Sequence, residues 1–490
     1  MKKFLLSLLA NISVIAMLSA QGYTTPDTGV TYSLDDLVTL SPSTISVSGS
    51  TYTLVDELII SASDTLLIDS DLTLEIGENL LITIFGNFTV NGENVVFTAI
   101  DPTMPYEGFR FEQLSDINIQ NATIEYGGGL RVLTETFTIN NCLVTNNVSG
   151  VSTGSVISLL RGRAQITNNT ITFNDTAAIS SGANSEVSAY IFNNYIEGNN
   201  KDNSNRPQIN MGTTMEDEPL EIIQNTIIGD RTLDQVGGIA VSNFVDGFIN
   251  VIIDDNIIRD NRYGLTVVGG NSFAYIRNNI IEDNDSQNSP NLGGSGISLN
   301  SSTSDMEVIA SGNEIRRNLW GITVIGSASI NLGDNDENIG ENVFSENGNG
   351  GVIYALYNNT SNAISAMHNC WDEENTPNTL ADAEAVIVHE NDISSLGLVT
   401  FDPVNCGFLS VDEITQNTIS IYPNPTSGQL TLSNNMSFNQ MNVYSLDGKL
   451  IMQKALKIGE NAMFLELNSG IYLLELNGES TKATKKLVIN

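Results

Sequence analysis

The chain of 490 residues carries 57 acidic against 20 basic residues, a net charge of −37, and only three cysteines. Nearly all of that excess lies before residue 411, because residues 411–490 hold 7 acids and 6 lysines. A body so acidic repels nucleic acid, anionic membrane surfaces and polyanionic glycans unless a metal intervenes, and the length allows two or three domains.

Met1-Lys2-Lys3 leads into an apolar run over residues 4–17, followed by Leu18-Ser19-Ala20. A basic tip, a short apolar stretch and small residues at its end predict a secretory signal peptide over residues 1–20, cleaved after Ala20. No later stretch offers the ~18 uninterrupted apolar residues of a membrane-crossing helix, so no transmembrane segment is expected in the mature chain.

Short strands are predicted at residues 52–54, 57–60, 65–68, 72–76, 80–84, 88–90 and 95–98, punctuated by Asp69-Ser70-Asp71, Gly77-Glu78-Asn79 and Asn91-Gly92. From there one phrase returns with little change. It begins at Asn169, Asn194, Asn225, Asn256, Asn279, Asn313, Asn342 and Asn369, with an earlier copy at Asn141 and a degenerate one at Asn121. Most copies carry a second Asn or Asp five residues on: Asn146, Asn174, Asn199, Asp230, Asn261, Asn284, Asn318 and Asn347.

Successive first asparagines lie between 20 and 34 residues apart. Helical repeats hold their period, whereas here a motif of alternating apolar and polar residues is joined by spacers of free length. The expected architecture is all-β: a right-handed parallel β-helix over residues 21–406 whose coils stack ~4.8 Å apart. Identical amides then hydrogen-bond to the copies above and below. The columns are accordingly read as scaffold.

Tyr106-Glu-Gly-Phe-Arg110-Phe111, Ile124-Glu-Tyr-Gly127, the opening strands and the later Asn-x-Ile-x-x-Asn-x-x-Gly-Ile phrases resemble the coils of secreted β-helix proteins of the pectate-lyase-like superfamily, over residues 30–405. That resemblance implies the fold. It leaves function open, because the fold carries lyases, hydrolases, adhesins and inert scaffolds.

Glycoside hydrolysis needs two carboxylates ~5 to 9 Å apart. Asp254 and Asp255, adjacent on a strand, would face opposite ways. The chain also lacks the Asn-Thr-Asp, Gly-His-Gly and Arg-Ile-Lys signatures of polygalacturonase-like hydrolases, and no catalytic residue is assigned. In repeat register, Arg259, Arg262, Tyr263, Glu282, Arg316, Arg317 and Trp320 gather on one flank. Guanidinium forks beside aromatic plates suit a sugar-binding face, so Arg259, Arg316 and Trp320 are expected to contact an extracellular polysaccharide. Two other readings of the same residues stand beside it: a self-neutralising Arg/Glu/Arg stack, and a calcium-assisted lyase acting on uronic-acid glycans.

Asp334, Asp336 and Asn338 open like a calcium loop, but Ile339 interrupts it and Ser345 stands where a bidentate Glu belongs. Calcium is the one metal the sequence raises. His368 and His389 are too isolated for zinc. Residues 380–389 have the composition of a short capping helix, and residues 398–403 that of a closing strand over the open end of the stack. Export makes disulfides available. A Cys370–Cys406 pair would tie the last coil to the segment behind it and leave Cys142 free, although connectivity is not legible in sequence.

A polar connector over residues 407–418 precedes a nearly neutral tail, residues 419–490, with seven predicted strands of a small Ig-like sandwich. Tyr422-Pro423-Asn424-Pro425-Thr-Ser-Gly428, Val443-Tyr-Ser-Leu-Asp-Gly448-Lys449, Leu467-Asn-Ser-Gly470-Ile-Tyr472 and the terminal Lys485-Lys486-Leu-Val-Ile489 resemble the type A C-terminal sorting domain of the type IX secretion system. The resemblance implies export through that machinery and removal of the tail by a sortase-like peptidase. Release or attachment at the outer-membrane surface of a Gram-negative, Bacteroidota-like cell would follow.

Overall fold

The computed structural model describes residues 22–376, 378–407, 420–434, 438–445, 449–457, 459–478 and 482–490. The predicted signal peptide, all of the connector but Gly407, and Gly448 of the sorting motifs lie outside the described residues. The chain divides into two compact units, meeting at Cys406 and Gly407.

The first unit is a parallel β-helix. Each coil gives one strand to each of three parallel sheets of 14, 13 and 14 strands. The first sheet contains Leu220–Ile223, Ile249–Asp254 and Ser272–Arg277; the second contains Thr226–Ile228, Ile257–Arg259, Ile280–Glu282 and Glu314–Arg316. The third contains Ile239–Ser242, Leu265–Val268, Ser295–Ser301 and Trp320–Gly326. In the second sheet Ile227, Ile258, Ile281, Ile315 and Phe344 stack in register and are fully buried. Each buried side chain of this size contributes roughly 1.5 to 3 kcal/mol. The resulting core runs without a break from Tyr32 to Val399.

The corner between first and second sheets takes two residues with different duties. The leading one adopts left-handed backbone, as at Asn168, Asn193, Gln224, Asp255 and Asn278, with φ between 53° and 58°. The following one is buried, and in most coils it is asparagine: Asn169, Asn194, Asn225, Asn256, Asn279, Asn313, Asn342 and Asn369. Each of these through Asn342 donates from its backbone N–H and its Nδ2 to the Oδ1 of the next, at 2.8–3.1 Å. The amide Nδ2 also donates to a main-chain carbonyl one coil back. Every polar atom of the column is therefore satisfied in an otherwise apolar interior.

Asn141 departs from the expected ladder. It occupies the left-handed corner position (φ 54°) and its amide donates to Asn121 Oδ1 at 2.8 Å. The buried place in that coil belongs to Cys142, whose N–H donates to Asn169 Oδ1 at 3.0 Å. Because the corner favours Asn at both positions, the motif frame is ambiguous by one residue wherever the second is replaced. Burial pushes the Cys142 thiol up to about 11, so it stays protonated.

The second column, between second and third sheets, joins Asn147, Asn174, Asn199, Gln208, Asn261, Asn284, Asn318 and Asn347. Asn146 and Asp230 do not belong to it. Asn146 takes the left-handed turn (φ 53°), and Asp230 is exposed, accepting from Thr232. A carboxylate accepts but cannot donate to the next rung. Gln208 reaches in instead, accepting from Asn199 N–H at 3.3 Å and donating to Asn261 at 3.1 Å.

Both ends of the stack are covered. Helix α1 (Leu34–Leu40), with a Ser33/Asp36 capping box, buries Leu34 and Leu37. Helix α2 (Leu380–Val386), with a Thr379/Asp382 box, buries Ala383 and Val386. Trp371 stacks flat on Phe344, 4.8 Å between centroids. The Cys370–Cys406 disulfide is formed and Cys142 is the free cysteine.

The second unit pairs a three-stranded antiparallel sheet (Ser420–Tyr422, Gln429–Asn434, Gly459–Phe464) with a four-stranded one (Leu450–Ala455, Phe438–Ser445, Gly470–Gly478, Lys482–Ile489). Leu430, Leu432, Met441, Val443, Leu474, Leu476 and Leu487 are its core.

Candidate functional site

The outward face of the third sheet carries a groove of about 520 Å³. Its floor is Trp320, the first residue of Trp320–Gly326, lying against Tyr357 at 5.6 Å and 20° and beside Tyr354 at 4.6 Å. Trp320 Nε1 donates to the Pro290 carbonyl at 3.0 Å, which ties the ring to the turn that walls the groove. Ser295, Ser298, Thr323, Asn291 and Asn359 supply hydroxyls and amides, and no charged residue lines it.

Arg262 braces that wall. Its Nε donates to Gln287 at 2.7 Å, and its Nη atoms reach the Leu292 carbonyl and Asn205. Gly293 packs closely on this brace, since a Cβ there would stand 3.1 Å from the Arg262 side chain. Tyr263 serves packing: its ring lies where a Cβ on Gly237 would be, and burial pushes its phenol up to about 12.

Arg259, Glu282 and Arg316 align on the outward face of the second sheet, as the register predicts. Arg259 pairs with Asp260 at 3.2 Å, and Arg316 with Glu314 at 2.9 Å and Glu373 at 3.1 Å. Arg317 takes Glu282 and Asp283 at 2.7 and 2.8 Å; its hydrogen bonds to Asp283, and next to Glu282, hold the guanidinium well above its usual range. The structure thus brings four of the predicted residues together in a laced acid–base strip, and sets Trp320 on the neighbouring sheet. Half-exposed pairs of this kind contribute about 0 to 1 kcal/mol each.

In the predicted calcium loop the side chains of Asp334 and Asn338 are committed to the turn itself. Asp334 Oδ1 accepts from the backbone N–H of Asp336, Glu337 and Asn338 at 2.8–3.0 Å. Asn338 donates to the Asn331 carbonyl at 2.9 Å and accepts from Gly340. Asp336 is exposed. Among the described residues no three His, Cys, Asp or Glu side chains converge as a metal group. Two further depressions, of about 660 and 410 Å³, flank the 243–248 turn between third and first sheets, with Phe244 72% exposed at its tip.

In the tail, Asn424 clamps the final strand, donating to the Lys486 carbonyl at 2.7 Å and accepting from Val488 N–H at 2.8 Å. Gly428 takes φ 111°, open to glycine alone, and Gly470 opens the strand that pairs with the terminal one. Tyr472 donates its hydroxyl to the Asn468 carbonyl. Pro423 and Pro425 flank the clamp. Residues 420–490 match the family described as the secretion system C-terminal sorting domain.

The tail is a sorting domain. It addresses the protein to the type IX secretion machinery and hence to the cell surface or the medium of a Bacteroidota-type bacterium. Among the described residues no helix is long and apolar enough to cross a membrane. A comparison with curated proteins returned no match.

The aromatic groove was half legible. Trp320 stands in the repeat register, but Tyr354, Tyr357 and the hydroxyls beside it sit in no repeated phrase, so only stacking reveals them as neighbours.

Proposed function

We propose that the β-helix is a surface or secreted binding module for extracellular polysaccharide, and that the chain lies along the outward face of the third sheet with a sugar ring on Trp320 and Tyr357. The observation that carries this reading is an aromatic pair on the floor of an open groove lined by uncharged hydroxyls and amides. Such a lining suits a sugar, which offers an apolar ring face and neutral hydroxyls, and gives an ionic ligand no counter-charge. The arginines of the second sheet are already engaged by carboxylates, which fits them to bracing rather than to proton abstraction.

Retention on an array of extracellular glycans is the test. Trp320→Ala should lose retention about tenfold or more on the glycan that holds the unaltered protein. Equal retention would end the reading. The same polymers, incubated with and without calcium and followed in the ultraviolet for unsaturated ends, should show no turnover. Appearance of those ends would install the lyase instead.

A further inference from the structure

After Thr24, Ile59 and Thr83, the outward column of the third sheet holds a pair of residues that cost the fold stability. Arg110 and Arg131 are direct cross-strand partners on adjacent coils, and Ser158 and Ser180 follow them in the column. Like charges directly opposite one another in a sheet are destabilising. One carboxylate answers the pair: Glu112 meets Arg110. Arg131 makes no hydrogen bond or ion pair among the described residues, and its Nε is closed off without a partner. Arg161, two residues past the strand Ser155–Leu159 on the next coil, is in the same state.

The contrast with the other arginines is informative. Arg163, Arg231, Arg259, Arg277, Arg316 and Arg317 each pair with a carboxylate, and Arg206 and Arg262 each meet carbonyl or amide oxygens. In a chain with 57 acidic residues, two half-buried guanidiniums without an acceptor are the exception. Their forks match the planar geometry of an oxyanion.

We infer that Arg110, Arg131 and Ser158, with Arg161 on the following coil, form a binding site for an oxyanion substituent of the polysaccharide, a carboxylate or a sulfate ester. The inference rests on the glycan-binding reading above. From Arg131 the column continues through Ser158, Ser180, Asn210, Ala240, Thr266 and Ser298 to Thr323 in the aromatic groove, with no charged residue among them. Seven coil spacings separate its ends, roughly 34 Å. The surrounding acidity repels a dense polyanion. The fitting ligand is an extended polymer with isolated acidic groups on a largely neutral backbone.

Three soluble polymers sharing one backbone decide it: neutral, sparsely carboxylated and sparsely sulfated. Each is titrated against the full chain, Arg131→Gln and Trp320→Ala. The unaltered protein should bind one charged polymer about tenfold tighter than the neutral one, and which one identifies the oxyanion. Arg131→Gln should erase that preference while raising the melting temperature, a combination that a merely structural arginine would not produce. Trp320→Ala should weaken all three. Should Arg131→Gln misfold, Arg161→Gln must lower the preference in its place. Neutral binding through Trp320 with no charged preference, or an unchanged preference in the folded arginine variants, overturns the inference alone. Absence of binding to any polymer overturns both readings.

Discussion

Asn279 shows at the scale of one side chain why the corner tolerates so little change. Its Oδ1 accepts from Asn256 N–H and Nδ2 at 3.0 and 2.9 Å, while its own Nδ2 donates to the Ile253 carbonyl and to Asn313 at 2.9 Å. Asn279→Ala strands the buried backbone N–H of Asn256, at about 1 to 3 kcal/mol, and removes the Nδ2 bonds to Ile253 and Asn313, although Asn313 Oδ1 keeps the main-chain N–H of residue 279. Chemical denaturation should place the variant about 2 to 4 kcal/mol below the unaltered body. Asp334 gives a pH-dependent counterpart. Backbone donors from Asn338 and Asp336, the Asn331 amide and the Glu337 N–H hold its carboxyl down to about 2. Because the folded value lies below the unfolded one, its contribution is complete above about pH 4 and is lost as pH falls from there towards 2. Thermal melts between those limits should show a flatter acid limb for Asp334→Asn. At this scale the buried asparagines were readable from Asn169 onward, because the amide must recur wherever the corner recurs. Cys142 and Gln208 were not readable: one breaks the residue type, and the other enters the column from outside the phrase.

Elements add what single residues lack, namely closure. A β-helix ends in unpaired strand groups, and α2 with the strands Ile387–Val388 and Val399–Thr400 covers that end. The disulfide ties this cover to the last coil across a separation of 36 residues. In the chain-entropy account such a loop is worth about 4 kcal/mol. Cys370→Ser, or reduction of the unaltered protein, should lower the first thermal transition, while Cys142→Ser should change it little beyond the loss of a small buried group. Calorimetry with and without reductant separates the two. The capping helix, the closing strand and the tail sandwich were all visible in composition and turn residues, because each is specified by contiguous sequence. The wall of the aromatic groove was not. It is a turn at residues 286–294 held by Arg262, a bond across 30 residues to Leu292, and no local pattern encodes such a brace.

For the whole molecule, charge and address are the sequence's clearest statements. The excess of acids lies in the body, and the tail carries the sorting domain that sends that body outside the cell. The coil itself was also settled locally: an apolar residue at alternate positions and, in most turns from Asn169 onward, an amide at the corner repeat the same decision, so spacer length could vary without altering the fold. What only the tertiary structure decided is which outward residues of the third sheet, away from the repeated phrase, meet. Arg110 and Arg131, or Thr323 and Tyr357, are 21 and 34 residues apart in the chain yet direct neighbours across coils. Outward positions of the third sheet face no shared apolar core, so no repeated residue type marks them. Their alignment emerges from the cumulative stacking of spacers whose lengths the motif leaves free.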